Sequence, residues 1–146
     1  MNVEECVEKG LLRKERPDKG KALRSLETAE RKLKLSKREL GAGIFEGAVI
    51  SAYASMFHSA RALLYQDGFK ERSHYCLFVY VQERYSGKIE QRFLNELNVL
   101  RMERHGLMYG LEERSEVAEG EAKDAVSVAG EFLKSVRKLL EKREGC

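Results

Sequence analysis

A short stretch near residue 105 carries the side-chain types that hold and process phosphate groups. It contains Arg101, Arg104, His105 and Tyr109. Arginine can hold a phosphate through two parallel hydrogen bonds. Histidine ordinarily titrates near neutral pH, so it can act as an acid or a base. Arg104 follows Leu97 by seven residues and Leu100 by four, which predicts that it lies on the inward stripe of a helix.

The same helix would separate these side chains around its axis. Arg101, His105 and Tyr109 share a neighbouring stripe, whereas Arg104 and Tyr109 are about 140° apart on an ideal helix. Arg104 and Tyr109 converge only if the helix bends or ends, for which Gly106 is the natural place, or if a second copy of the chain contributes. The pattern therefore predicts a cleft at a dimer interface.

Other charged and titratable residues allow more than one interpretation. His58 and His74 could join Arg61 in a nucleotide-binding patch that also includes Arg101 and Arg104. The alternative is that each histidine is a hydrogen-bonded group of the core. In the same way, Arg104 could pair with an acid such as Glu46 and only order the fold. The spacing of His, Glu and Asp predicts neither a metal site nor a cofactor.

The secondary-structure elements that position these residues are predicted to be helices. Only one proline occurs, and Leu, Ala, Glu, Lys and Arg are abundant, which favours helix over sheet. The stretch 75–81 is rich in strand formers, but a lone strand would have nothing to pair with, so a helix capped by Ser73 is favoured. The pattern predicts one all-α domain over 1–146, an up-and-down antiparallel bundle of about five helices without a sheet. Its helical segments are 18–40, 44–67, 73–84, 88–105 and 121–143, preceded by 1–12 as a short helix or a frayed end.

Composition limits the partners and the compartment. With 27 basic and 24 acidic residues the net charge is +3, so any contact with phosphate must be local. Cys6, Cys76 and Cys146 are odd in number and far apart, which predicts neither a disulfide nor a zinc site and fits a reducing cytoplasm. No signal peptide or membrane span is expected. A small-residue stripe, with Ala48 and Ser59 among its members, would let a neighbouring helix approach closely and favours a homodimer.

The central helix carries a recognisable motif. Tyr53 precedes the run Phe57-His-Ser-Ala-Arg-Ala-Leu-Leu64, and Gly68 and then Ser73-His74 follow it. This order and spacing resemble the signature of HEPN domains, whose name stands for higher eukaryotes and prokaryotes nucleotide-binding. The resemblance covers residues 23–110 and, more loosely, the last helix.

The resemblance implies an up-and-down helical bundle that is often homodimeric and often encoded beside a small nucleotidyltransferase. Some members are metal-independent ribonucleases of toxin–antitoxin systems, with an Arg-x4-His motif. Arg104 matches the motif arginine, and His105 stands where asparagine is common. Tyr109 stands where the catalytic histidine would be, and tyrosine is a poor base near neutral pH.

The sequence therefore leaves three hypotheses open. The first is a nucleotide- or RNA-related binding and regulatory partner of a nucleotidyltransferase, with a degenerate Arg-x4-Tyr site. The second is an active metal-independent endoribonuclease that uses Arg104 and His105. The third is a purely structural dimeric helper.

Overall fold

The computed structural model describes residues 1–109 and 117–144, apart from the side chains of Tyr109, Arg143 and Glu144. Helices dominate this part of the chain, which confirms the predicted all-α class. In chain order the elements are α1 (Val3–Glu8), β1 (Leu12–Lys14), α2 (Lys19–Gly41), α3 (Phe45–Asp67), β2 (Phe69–Glu71), α4 (His74–Tyr85), α5 (Gln91–Tyr109) and α6 (Glu119–Glu144). The predicted connection 111–120 lies mostly outside the described residues.

A small antiparallel sheet corrects the prediction that the fold has none. β1 pairs with β2, with Leu12 opposite Glu71 and Lys14 opposite Phe69. Three residues a strand are too few for an alternating pattern to stand out in the sequence. The pairing fixes the connection between α3 and α4, and this connection places the start of α4.

Helix α3 is the centre of the bundle, and α2 packs along it through small residues. Ser55 Oγ donates to the Ala29 carbonyl at 2.9 Å, and Ser25 Oγ donates to the His58 carbonyl at 2.7 Å. Such bonds between a side chain and a backbone carbonyl need closely approaching helices. The close approach predicted for the small-residue stripe therefore occurs within one chain. Leu23 on α2 is exposed.

Three of the helix boundaries follow from local chemistry. Asp18 and Ser73 cap α2 and α4, because their side chains accept from the amides of Lys21 and Cys76. Gly68 ends α3 with φ 89°, a left-handed conformation that glycine tolerates. The cap at Ser73 confirms that the ambiguous stretch 75–81 is helical.

The cysteines correct a second prediction. Cys6 of α1 and Cys76 of α4 form a buried disulfide, with their Cα atoms 6.0 Å apart. A separation of 70 residues gave the sequence no means of showing that the two helices are neighbours. None of the described helices is long and apolar enough to cross a membrane.

Candidate functional site: an arginine cleft between α3, α4 and α5

His74, the first residue of α4, lies at the centre of the site. Its ring Nδ1 is 2.7 Å from the hydroxyl oxygen of Tyr53 on α3. Its ring also stacks on Phe57, one helical turn along α3, with ring centres 4.2 Å apart. The Ser73 cap fixes where α4 begins, and the two aromatic residues fix the orientation of the imidazole.

Two arginines of α5 border this histidine. The guanidinium carbon of Arg104 lies 5.8 Å from the centre of the Tyr53 ring, and that of Arg101 lies 5.2 Å from the Tyr75 ring. Arg101 also donates to Asn98 Oδ1 at 3.0 and 3.2 Å. Within ranges 1–109 and 117–144, neither arginine forms an ion pair with a carboxylate. Aromatic faces hold a guanidinium without neutralising it.

We call this group of residues the arginine cleft. It consists of Tyr53, Phe57, His74, Tyr75, Arg101 and Arg104. Arg104 and Arg101 are half-buried near the end of α5, where the inward side of the helix extends past the packed core residue Leu100. Arg104 therefore lies on the inward side of α5, as predicted. Because it is partly solvated there, its guanidinium can remain charged.

The arginines set the electrostatics of the cleft. Burial, together with the smaller effects of the positive charges on Arg104, Arg61 and Arg101, lowers the pKa of His74 to about 4. Burial also raises the pKa of Tyr53 to about 12, against the opposing effect of Arg104 and Arg101. Both side chains are therefore neutral at pH 7, and the cleft has the positive charge of its arginines.

Arg61 lies beside the cleft but is held differently. Its Nε donates to Glu71 Oε1 at 2.8 Å, a second bond joins Nη2 to the same oxygen, and its guanidinium lies 4.7 Å from the Phe57 ring centre. Glu71 is buried, and its other oxygen has no hydrogen-bond partner among the described residues. Arg61, a predicted nucleotide-binding residue, thus uses some of its N–H donors to bind a buried carboxylate.

His58 packs against the same aromatic ring, with its own ring edge-on to Phe57 at 5.4 Å. Burial lowers its pKa to about 4, with Arg61, Lys32 and Arg31 contributing in the same direction. His58 and His74 therefore share one packed aromatic residue, and both are neutral at pH 7.

Of the three predicted catalytic residues, the structure describes the side chains of Arg104 and His105. Helix α5 continues through Gly106 to Tyr109, so the predicted end at Gly106 does not occur. His105 is exposed, whereas Arg104 faces Tyr53. The Tyr109 side chain lies outside the described residues. The suggested pairing of Arg104 with Glu46 is absent from the described part.

Sequence reasoning missed three contacts of this site. They are the bond between Tyr53 and His74, the position of Arg101 over Tyr75, and the buried pair of Arg61 with Glu71. The motif did contain Tyr53, Arg61 and His74, so the first and third could have been sought among its members. In the described part, no group of three His, Cys, Asp or Glu side chains could hold a metal ion.

The family follows from a direct comparison. A family model described as the HEPN domain matches residues 22–139, from α2 into α6. The chain belongs to the HEPN domain family. No curated protein matches the chain. HEPN domains often form dimers and bind nucleic acids, so membership supports a nucleotide- or RNA-related role at the level of the family.

Proposed function

We propose that this HEPN protein is a nucleotide- or RNA-binding regulatory module whose arginine cleft holds a phosphate group. One observation carries the proposal. Arg101 and Arg104 are positioned by aromatic rings and an amide, with no carboxylate partner in the described part of the chain. Their charge and several of their N–H donors are therefore available to a phosphate, which a guanidinium binds through paired hydrogen bonds.

The aromatic residues of the cleft suit the rest of a nucleotide. Tyr75 is 36% exposed, so part of its ring can stack on a base. His74 is neutral and can hydrogen-bond a phosphate or a sugar hydroxyl without adding charge. Phosphate contacts position a ligand, and stacking on a ring tolerates any base. The cleft therefore fits a ribonucleotide or the end of an RNA strand, with little selectivity for sequence.

The same geometry argues for binding without cleavage. A general acid or base works best with a pKa near the operating pH. His74 and Tyr53 titrate far below and far above neutrality. Tyr109 replaces the histidine that the ribonuclease motif requires. The rival function is an endoribonuclease that uses Arg104 and His105, and the remaining alternative is a structural dimeric helper that binds no ligand.

Partners and location belong to the same proposal. The HEPN family suggests a small nucleotidyltransferase as the protein partner, in a toxin–antitoxin-like setting. A homodimer is supported by Val99 and Met102, two exposed apolar residues on one face of α5. We place the protein in the cytoplasm, where nucleotides and RNA are available. The disulfide of Cys6 and Cys76 is uncommon in that compartment, so its redox state in cells is a direct check.

Ligand binding tests the cleft. We expect Arg101→Ala and Arg104→Ala each to weaken binding of 5′-AMP about tenfold, the equivalent of about 1.4 kcal/mol. Arg92→Ala is the matched control, because Arg92 lies on the same helix and is exposed. Equal affinities in all four proteins would contradict the proposal, as would a parent protein that binds no ribonucleotide and no RNA.

A cleavage assay separates the binding module from the ribonuclease. We expect the purified protein to leave generic RNA uncut. If it cuts RNA, and if Arg104→Ala and His105→Ala each abolish the cut in a folded protein, the ribonuclease function replaces the proposed one. If Tyr109→His creates cleavage that Arg104→Ala removes, the degenerate-site interpretation gains support.

A further inference from the structure

A second positively charged surface lies where α2 meets α3 and β2. It includes an open pocket of about 320 Å³. The charged or titratable residues that line this pocket are Lys21, Arg24, His58, Arg61 and Lys70. None of its described lining residues is acidic. A pocket with this lining attracts anions.

The charge continues beyond the pocket along α2. Lys21 and Arg24 share one stripe of the helix with Arg31 and Lys32, because the spacings of three, seven and eleven residues each return close to the same side. The positive charges of Arg31 and Lys32 also contribute to lowering the pKa of His58, in agreement with their place on this stripe. We call Lys21, Arg24, Arg31, Lys32, Arg61 and Lys70 the basic strip.

Most of these cations are not neutralised. Lys21 lies 5.7 Å from the Tyr65 ring centre, and Arg31 Nη2 donates to the Thr28 hydroxyl at 3.0 Å. In ranges 1–109 and 117–144, Arg61 is the member of the strip that pairs with a carboxylate. The nearby acid Glu30 is bound to Arg137 of α6 at 2.6 Å. The strip therefore presents a row of available positive charges.

One buried ring connects the strip to the arginine cleft. The ring of Phe57 contacts Arg61 of the basic strip and also stacks on His74 of the arginine cleft. The charge of Arg61 also contributes to lowering the pKa of His74. The two positively charged surfaces are thus neighbours, separated by little more than one aromatic side chain.

We infer that the basic strip is a second phosphate-binding surface, which carries the backbone of a single-stranded RNA while the arginine cleft holds one nucleotide of the same strand. Lys21 and Arg31 are about 15 Å apart along α2. That length spans several phosphates and exceeds the reach of a mononucleotide. The inference rests on the proposed function of the cleft, and it makes an RNA strand the ligand.

Charge reversal on α2 tests the strip. We compare the double variant Lys21→Glu with Arg24→Glu against the control Lys34→Glu with Lys37→Glu, which changes the net charge equally on other faces of the same helix. The probes are a labelled 12-nucleotide RNA and 5′-AMP. We expect the strip variant to lose at least tenfold in affinity for the RNA and none for 5′-AMP. Its salt slope should fall by roughly 1.4, since each single-strand phosphate contact contributes about 0.7.

The outcomes separate the strip from the cleft. If the strip variant and the control bind the 12-nucleotide RNA equally, the strip inference is wrong and the cleft proposal stands. If Arg101→Ala and Arg104→Ala leave 5′-AMP binding intact, the cleft proposal fails. The strip inference then depends on whether the strip variant binds the 12-nucleotide RNA more weakly than the control does. Binding of anionic lipid vesicles through the strip, with no binding of RNA, would overturn the inference in favour of a membrane surface.

Discussion

Arg61 differs from the two arginines of α5 because a buried carboxylate holds it. Removal of its guanidinium would leave Glu71 buried and unpaired, the costly way to break such a pair. We expect Arg61→Ala to lower the free energy of unfolding by about 3 kcal/mol, the low end for buried pairs, because the Arg61 side chain is 28% exposed. Urea denaturation measures the change.

The control for Arg61 is an exposed pair. Arg92→Ala breaks the contact of Arg92 with Glu90, where both side chains are more than half exposed, and should leave stability nearly unchanged. Adding Glu71→Gln to Arg61→Ala should recover part of the loss, because it removes the buried charge. If Arg61→Ala and Arg92→Ala have equal effects, Glu71 does not depend on Arg61.

The two histidines at Phe57 predict a pH dependence of stability. His58 and His74 titrate near pH 4 in the folded chain and near their ordinary 6.5 when unfolded. Between these values the unfolded chain binds more protons, so stability rises with pH. Their stabilising contribution is complete above pH 6.5 and is lost as the pH falls toward 4.

The double variant His58→Gln with His74→Gln tests this dependence. Its urea midpoint should change less between pH 7.5 and pH 4.5 than that of the parent protein. Carboxylates also titrate in this range, but they are present in both proteins and their effect is common to the comparison. Identical pH dependences would show that neither histidine is kept neutral by the fold.

For single residues, the sequence predicts the side of a helix on which a residue lies better than it predicts which residues that side chain contacts. The heptad-like spacing from Leu97 predicts the inward side of α5 for Arg104, and Arg104 does face Tyr53. The spacing could not predict Tyr53 as its neighbour, because that contact depends on how α3 and α5 cross. His58 and His74 likewise match the motif, but their shared contact with Phe57 requires the packed structure.

Among the elements, α1 depends most on a covalent link. The bond from Cys6 to Cys76 closes a segment of 70 residues, so it removes about 4 kcal/mol of chain entropy from the unfolded state in a loop-closure estimate. We expect Cys6→Ser with Cys76→Ser, or added reductant, to lower stability by an amount of that order. Thermal unfolding with and without reductant measures it.

The third cysteine provides the control for this prediction. Cys146→Ser leaves the pair intact and should unfold like the parent protein, with the same response to reductant. If reductant leaves the unfolding transition of the parent unchanged, the two cysteines do not stabilise the fold through a disulfide.

Element predictions from the sequence succeed where a local signal exists. Ser73 and Gly68 mark helix ends through their own chemistry, and both boundaries occur as predicted. The pairing of β1 with β2 could not be predicted, because Leu12 and Glu71 meet only after α2 and α3 have packed. The disulfide could not be predicted for the same reason, since it depends on the contact between α1 and α4.

At the scale of the whole molecule, the proposal concerns association of two copies of the chain. The small residues Ala48, Ala52 and Ser59, which suggested a dimer from the sequence, are buried within one chain and cannot form its interface. Exposed Val99 and Met102 on α5 are the better basis for the proposed homodimer. Light scattering at micromolar concentration should then give twice the mass of the 16.7 kDa chain.

A charge on this face tests the interface. Met102→Glu should shift the protein toward the monomer, because it buries an unpaired carboxylate in the contact. Leu23→Glu is the matched control, since Leu23 is a similarly exposed apolar residue on α2. A parent protein that is monomeric at micromolar concentration contradicts the homodimer. Equal effects of the two variants contradict this interface.

NMR titration of the His74 ring tests whether the arginine cleft holds a phosphate beside His74. A bound phosphate would offset the charges of Arg101 and Arg104 that lower the pKa of this imidazole. With saturating 5′-AMP, we predict that the pKa of His74 rises above about 4 and that its ring resonances shift. If the ring resonances and the pKa of His74 stay unchanged in the presence of the nucleotide, the cleft does not hold a phosphate beside His74.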